Sequence, residues 1–184
     1  MPPGPPLTTD QYLRTPETLL PQELVFGMVR EAAAAPTAGH QAFVGSFYLA
    51  LSEHVRARRL GSVWVSPVDV VLDSRQGLVL QPDLLFVSEK RSEIVTDRVW
   101  GAPDMVLEVL SPGPRLGRLE ERVAWFGRYG VQECWLIHQR ERKVAILWFE
   151  AGGVRERTLV DEHAPIRSRL FPDFGRSLAD ILVS

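Results

Sequence analysis

The fold is decided by two apolar segments, Leu78-Val-Leu-Gln-Pro-Asp83-Leu-Leu-Phe-Val87 and Met105-Val-Leu-Glu108-Val-Leu110. Each is a short apolar run bounded by turn residues, a pattern that predicts a buried β-strand. Each also contains a single acidic residue, Asp83 in the first and Glu108 in the second. A carboxylate inside a buried strand is costly unless it is ion-paired, hydrogen-bonded or bound to a metal. Asp83 and Glu108 are therefore the first candidates for a functional site.

A helix with a basic residue on its apolar face is predicted from Arg118 to Tyr129. At about 100° per residue, its apolar stripe consists of Leu119, Val123, Phe126 and Tyr129. Arg122 falls inside this stripe, where its charge must either reach solvent or meet a carboxylate. Two interpretations are open. One is a structural ion pair between Arg122 and Asp83 or Glu108; the other is a two-carboxylate metal site with a basic residue beside it, as used to cleave phosphodiester bonds.

Length and composition predict one domain over residues 1–184, with a loose proline-rich arm at residues 1–7. The chain is 45% hydrophobic and 24% charged, the balance of a soluble globular protein. Its net charge of −2 does not indicate a polyanion partner, so nucleic-acid binding would depend on a local basic surface. A lone cysteine, Cys134, excludes an internal disulfide framework. With no membrane-length apolar run and no signal-peptide pattern, we expect a cytoplasmic protein without a membrane partner.

The order of predicted elements indicates the fold class. A hairpin at Glu23–Glu31 precedes a long helix from about His40 to Arg59, and strands then dominate up to Val87. After the Glu108 strand and the Arg122 helix, further strands are predicted at Val131–Ile137, Lys143–Phe149 and Arg155–Val160. This order predicts an α/β fold, a mixed sheet with helices on its faces.

Other catalytic chemistries find little support in the sequence. It contains no CxxC, HExxH or Walker motif, no GxGxxG followed by a helix, and no GxSxG or SxxK nucleophile motif. Its four histidines are scattered without the spacing of metal ligands. The two strand carboxylates therefore remain the leading candidates.

Several motifs resemble one known family. They are Pro82-Asp83, Gly101-Ala-Pro-Asp-Met-Val-Leu-Glu108-Val-Leu-Ser-Pro112 and Gly130-Val-Gln-Glu-Cys-Trp135. Together they resemble the Uma-two-type putative restriction endonucleases, formerly a domain of unknown function, of the PD-(D/E)XK nuclease superfamily. Glu23-Leu-Val-Phe-Gly27 is similar to the early hairpin of that family, and His40 stands where its long helix usually begins. The resemblance extends over nearly the whole chain after residue 7.

The resemblance implies a restriction-endonuclease-like core, with a central mixed β-sheet flanked by helices. It implies that Asp83 and Glu108 hold Mg²⁺ or Mn²⁺ where their two strands diverge, with the main-chain carbonyl of Val109 as a third ligand. Arg122 stands where the family has a helical lysine and would orient water or neutralise charge. Glu23 would join through a water-bridged metal contact; the alternative is an exposed glutamate without a role.

The sequence departs from the family at three positions. Arg122 replaces the helical lysine and cannot act as a base near neutral pH. Arg118 stands where an acidic residue is usual, and Pro114 replaces a small hydroxyl residue.

Three function classes follow. The first is a metal-dependent endonuclease that hydrolyses DNA. The second is a weakly active or inactive relative that binds nucleic acid or protein, and the third is a structural oligomer with a buried ion pair. Exposed strand edges and five tryptophans are compatible with a homodimer.

Overall fold

The computed structural model describes residues 5–16, 20–31, 35–110 and 118–183. Its helices are α1 (Thr9–Leu13), α2 (Ala38–Arg58), α3 (Leu119–Tyr129) and α4 (Leu178–Val183), with a 3₁₀ helix at Glu89–Ile94. Its strands are β1 (Gln22–Val25), β2 (Met28–Glu31), β3 (Gly61–Val65), β4 (Val70–Asp73), β5 (Leu78–Leu80), β6 (Leu84–Ser88), β7 (Val99–Trp100), β8 (Met105–Leu110), β9 (Glu133–His138), β10 (Lys143–Glu150) and β11 (Gly153–Asp161).

The strands form two mixed sheets. A five-stranded sheet has the order β2-β1-β5-β4-β7, and a six-stranded sheet has the order β11-β10-β9-β8-β6-β3. Each sheet combines antiparallel pairs with one parallel pair, β4–β7 in the first and β8–β9 in the second. The predicted α/β class is confirmed, but two sheets are present where one central sheet was expected.

The division arises within the segment that was predicted as one strand from Leu78 to Val87. Strand β5 ends at Leu80 in the five-stranded sheet, and β6 begins at Leu84 in the six-stranded sheet. Pro82 lies between them and cannot donate to a strand ladder, because it has no N–H group. The prediction of one continuous strand was therefore wrong. The break places Asp83 at the junction between the two sheets.

The six-stranded sheet is apolar on both faces. One face packs against α2 and α4, through a cluster that includes Phe47, Leu51, Trp135, Phe171 and Ile181. The other face packs against the five-stranded sheet and α3, through a cluster that includes Leu80, Leu85, Val106, Phe126 and Leu136. Because side chains alternate along a strand, Glu108 shares the face of Val106 and Leu110 and points towards α3.

Helix α2 is positioned by its N-terminal cap and its apolar face. Thr37 accepts a hydrogen bond from the backbone N–H of His40 at 3.2 Å, which satisfies one of the free donors of the first turn. Val44, Phe47 and Leu51 then bury one side of the helix. Within the described ranges, no helix is long and apolar enough to cross a membrane.

The described part of the N-terminal arm contacts the β1–β2 hairpin. The N–H of Leu7 donates to the carbonyl of Gly27 at 2.8 Å. Gly27 has φ +82°, and a Cβ there would lie 2.8 Å from the Cβ of Pro6, so glycine allows both the turn and the close approach. Leu7, which the sequence assigns to a loose arm, is thus held in place.

Candidate functional site

Three buried charged side chains form a connected cluster between β1, β8 and α3. The Arg122 guanidinium donates from Nη1 to both carboxylate oxygens of Glu23 at 2.6 Å. It also donates to Oε1 of Glu108, from Nε at 3.2 Å and from Nη2 at 2.5 Å. Arg122 is 5% exposed, Glu23 1% and Glu108 7%. The structure thus brings Arg122 to Glu108, as expected, but adds Glu23 as a direct partner.

Glu23 is a buried residue of the site, so its interpretation as an exposed glutamate was wrong. It lies on β1, which pairs with β5 on the side away from β2. The backbone N–H of Gln81 donates to Oε1 of Glu23 at 2.7 Å, which links the hairpin to the segment that precedes Asp83. A buried carboxylate needs such partners, and Arg122 supplies the remaining ones.

Asp83 lies where β6 and β8 separate. Their pairing ends at Leu84 opposite Leu107, one residue before Asp83 and Glu108 would face each other. Beyond this point Oδ2 of Asp83 accepts the backbone N–H of Val109 at 2.7 Å. Its side chain thus replaces the next ladder hydrogen bond. The contact fixes Asp83 beside the backbone of the residue that follows Glu108.

His40 contacts the second oxygen of Asp83. Its Nε2 atom lies 3.1 Å from Oδ1, and His40 is buried. This contact could not be predicted from the sequence, because α2 packs on the sheet face opposite to α3 and no sequence spacing relates His40 to Asp83. Two signals were available: His40 stands where the long helix of the family usually begins, and the capping hydroxyl of Thr37 places His40 in the first turn of α2.

The cluster carries more negative than positive charge. Burial raises the pKa of Glu108 to about 7; the Arg122 guanidinium opposes this rise, while Asp83 and Glu23 add to it. Burial disfavours the charged form of Arg122, but Glu108 and Glu23 outweigh it and raise the pKa of Arg122 above its ordinary value. Arg122 therefore stays charged near neutral pH.

One carboxylate oxygen of the cluster has no hydrogen-bond donor among the described residues. Arg122 uses only Oε1 of Glu108, and within the ranges that the structure describes Oε2 accepts no hydrogen bond. In the same ranges, no group of three or more His, Cys, Asp or Glu side chains is arranged to hold a metal ion. A cation here would thus rely on two carboxylates, backbone oxygen and water.

A known protein family matches most of the chain. A family model described as a putative restriction endonuclease, Uma2, matches residues 9–179. The chain belongs to the Uma2 family. No sequence among curated proteins matches it.

A solved structure supports the fold of this Uma2 protein. This protein is similar to the crystal structure of a putative nuclease belonging to DUF820 from Anabaena variabilis, with a TM-score of 0.78 and 20% sequence identity. The match covers 97% of this chain and 98% of that chain. At this identity the similarity shows the fold alone, and it confirms the expected nuclease-like architecture.

Two of the three departures from the family pattern, Arg118 and Arg122, lie in the part of the chain that the structure describes. Arg118 is the N-cap residue of α3, and its side chain makes no capping hydrogen bond. Pro114 lies in residues 111–117, outside the described ranges. Arg122 occupies the centre of the cluster.

Proposed function

We propose that this Uma2 protein is an endonuclease that hydrolyses DNA phosphodiester bonds with Mg²⁺ or Mn²⁺. Asp83 and Glu108 would bind the metal through their carboxylates, and Val109 through its main-chain carbonyl. The observation that carries this proposal is that Asp83 accepts the backbone N–H of Val109, next to a Glu108 carboxylate whose Oε2 accepts no hydrogen bond from the described residues. Family membership supports a nuclease, and a nuclease implies a nucleic-acid substrate.

The charge of the cluster favours a divalent cation. Arg122 donates hydrogen bonds to two carboxylates, Glu23 and Glu108, and the carboxylate of Asp83 lies close to Glu108. Asp83 and Glu23 both raise the pKa of Glu108, so each lies close enough to repel its charge. A cation bound by Asp83 and Glu108 would relieve this repulsion.

The donor atoms fit Mg²⁺. Magnesium is bound in proteins through one or two carboxylates and keeps several waters, so two carboxylates and a backbone carbonyl suffice. When bound, the metal would polarise the scissile phosphate and lower the pKa of a water molecule. No softer ligand takes part: the nearby Cys134 is fully buried, and burial raises the pKa of its thiol well above the ordinary value.

Arg122 would act by charge and position. Its guanidinium stays protonated, so it cannot remove a proton from water. Held between Glu23 and Glu108, it would keep the Glu108 carboxylate oriented and neutralise charge that develops on the phosphate. Glu23 would serve as the anchor of Arg122 through their direct contact, and its water-bridged contact with the metal stays a prediction.

A second function is favoured by the same guanidinium. Arg122 donates hydrogen bonds to one oxygen of Glu108 and to both oxygens of Glu23. A buried ion pair of this kind can be purely structural. The protein would then be a weakly active or inactive nuclease-fold module that binds nucleic acid or a partner protein.

Cleavage assays separate the two functions. Supercoiled and single-stranded DNA are incubated with the wild-type protein and Mg²⁺ or Mn²⁺, beside Glu108→Ala and Glu133→Gln. Glu133 is a matched control, because it is a buried carboxylate on the neighbouring strand β9 and is bonded to the Trp135 indole at 2.5 Å, away from the cluster. We expect metal-dependent cleavage by wild type and Glu133→Gln, and none by Glu108→Ala.

Two results would contradict the enzyme proposal. Cleavage that persists in Glu108→Ala would come from a contaminating nuclease. Absence of cleavage by wild type on both substrates, with DNA binding retained, would favour the binding module.

A further inference from the structure

We propose that His40 is a positioning residue that holds the Asp83 carboxylate in its metal-binding orientation. This inference rests on the proposed function, because it assigns a role to a neighbour of the Asp83 metal ligand. The observation behind this inference does not involve Arg122. It is the contact between His40, in the first turn of α2, and Asp83, at the junction of the two sheets.

The geometry defines the direction of the hydrogen bond. His40 Nε2 lies 3.1 Å from Asp83 Oδ1, and their side chains are 10% and 20% exposed. An ionised carboxylate can only accept hydrogen bonds. His40 must therefore carry a proton on Nε2 and donate it to Asp83.

The backbone of His40 is held rigidly. Its N–H donates to the Thr37 hydroxyl at 3.2 Å, and it belongs to a helix of 21 residues. Val44 and Phe47, which follow on the same helix, are 4% and 0% exposed in the main core. The core thus fixes the backbone from which the imidazole extends. The backbone of a residue in a loop would be held less firmly.

His40 and Val109 together fix both oxygens of Asp83. The Val109 N–H holds Oδ2 at 2.7 Å and His40 holds Oδ1. One hydrogen bond alone would leave the carboxylate free to turn about its Cβ–Cγ bond, whereas two define its plane. Each oxygen keeps a further lone pair for a cation. Loss of a hydrogen bond that orients a ligating carboxylate commonly weakens metal binding by about 10–100-fold.

The test is Mn²⁺ titration of the full chain by calorimetry. The variants are His40→Leu, which removes the donor, and His40→Gln, whose side-chain amide restores a donor near the position of Nε2. His54→Gln is the matched control, because it changes a buried histidine of the same helix that contacts Phe171 and Phe174, not Asp83. Thermal unfolding is recorded for each variant, so that affinities are compared only among folded proteins.

We expect His40→Leu to weaken Mn²⁺ binding by about 10–100-fold, His40→Gln to recover most of the affinity, and His54→Gln to bind like wild type. Unchanged affinity in folded His40→Leu would overturn the positioning role. So would a ¹⁴N coupling from His40 in the electron-spin-echo spectrum of bound Mn²⁺, which would make His40 a ligand itself. If wild type binds no Mn²⁺ at all, the proposed function fails together with this inference.

Discussion

Arg122 and Glu108 are joined by two hydrogen bonds to a single oxygen, Oε1, at 3.2 Å from Nε and 2.5 Å from Nη2. The contact leaves Oε2 of Glu108 without a donor within the described ranges. A structural ion pair is most stable when guanidinium and carboxylate pair through both oxygens. The one-sided contact therefore suits a carboxylate that also binds a second partner, such as a metal ion.

Substitution of Glu108 by alanine should abolish metal binding and leave the fold intact. The carboxylate supplies one of two side-chain ligands, whereas Arg122 keeps its two contacts with Glu23. Mn²⁺ titration of Glu108→Ala and of wild type measures the difference, with circular dichroism to verify folding. Coinciding titration curves would show that Glu108 is not a ligand.

The pH dependence of stability should change when Glu108 becomes glutamine. The pKa of Glu108 is raised from 4.5 to about 7, so between these values the folded state binds more protons than the unfolded state. The free energy of unfolding of wild type should therefore fall as the pH rises from 4.5 to 7. Glu108→Gln has no carboxyl group to titrate, so it lacks this pH dependence, but its amide oxygen can still accept a hydrogen bond from Arg122.

The difference is measured by urea unfolding of both proteins across this pH range. As the pH rises from 4.5 to 7, we expect the free energy of unfolding of Glu108→Gln to increase by about 1–3 kcal/mol relative to that of wild type. Parallel pH profiles would mean that Glu108 is ionised throughout, as in a pair dominated by Arg122.

His54 should make the protein less stable in mild acid. Its ring packs edge-on against Phe171 and Phe174, and within the described ranges its Nε2 has no hydrogen-bond partner. Burial lowers the pKa of His54 below 6.5, and Arg58 lowers it further. Between this lowered value and 6.5 the unfolded state binds more protons, so the free energy of unfolding falls as the pH drops below 6.5.

The contribution of His54 is isolated by substitution. His54→Leu should flatten the urea-unfolding profile between pH 7.5 and 5.5 relative to that of wild type. A profile of His54→Leu as steep as that of wild type would assign the acid sensitivity to other groups.

Most helices and strands can be predicted from the sequence, because the spacing of apolar residues that indicates them involves only residues close together in the chain. The Glu23–Glu31 hairpin, α2 and α3 appear within about two residues of their predicted ends. The same local reasoning joined β5 and β6 into one strand, because both are apolar and Pro82 occupies a single position between them. Which sheet each half joins is decided by pairing with distant strands, β1 and β8, which periodicity does not encode.

The site was predictable as a set of misplaced charges. Asp83, Glu108 and Arg122 each interrupt an apolar pattern, and an interior tolerates such charges only when they meet partners. Glu23 and His40 were harder to assign, because each lies at the start of an element where polar residues are ordinary. Their partners are 99 and 43 residues away in sequence, so only the fold reveals them.

Substitution of Arg122 by lysine separates a catalytic from a structural role. An ammonium has one nitrogen where the guanidinium uses three to bind Glu23 and Glu108. Whether the role of Arg122 is catalytic or structural, lysine should therefore lower the free energy of unfolding by about 1–3 kcal/mol. In the nuclease, the ammonium still supplies a positive charge and hydrogen-bond donors for the attacking water and the phosphate, so Arg122→Lys should cleave DNA at least as fast as wild type.

Rates and stabilities are measured on the same preparations. Cleavage of supercoiled DNA with Mg²⁺ or Mn²⁺ is followed for wild type, Arg122→Lys and Glu108→Ala, at a temperature where urea unfolding shows all three to be folded. Equal or faster cleavage by Arg122→Lys supports catalysis at this cluster. A loss of stability without cleavage by either wild type or Arg122→Lys identifies a structural ion pair, because only the lost hydrogen bonds then distinguish the two proteins.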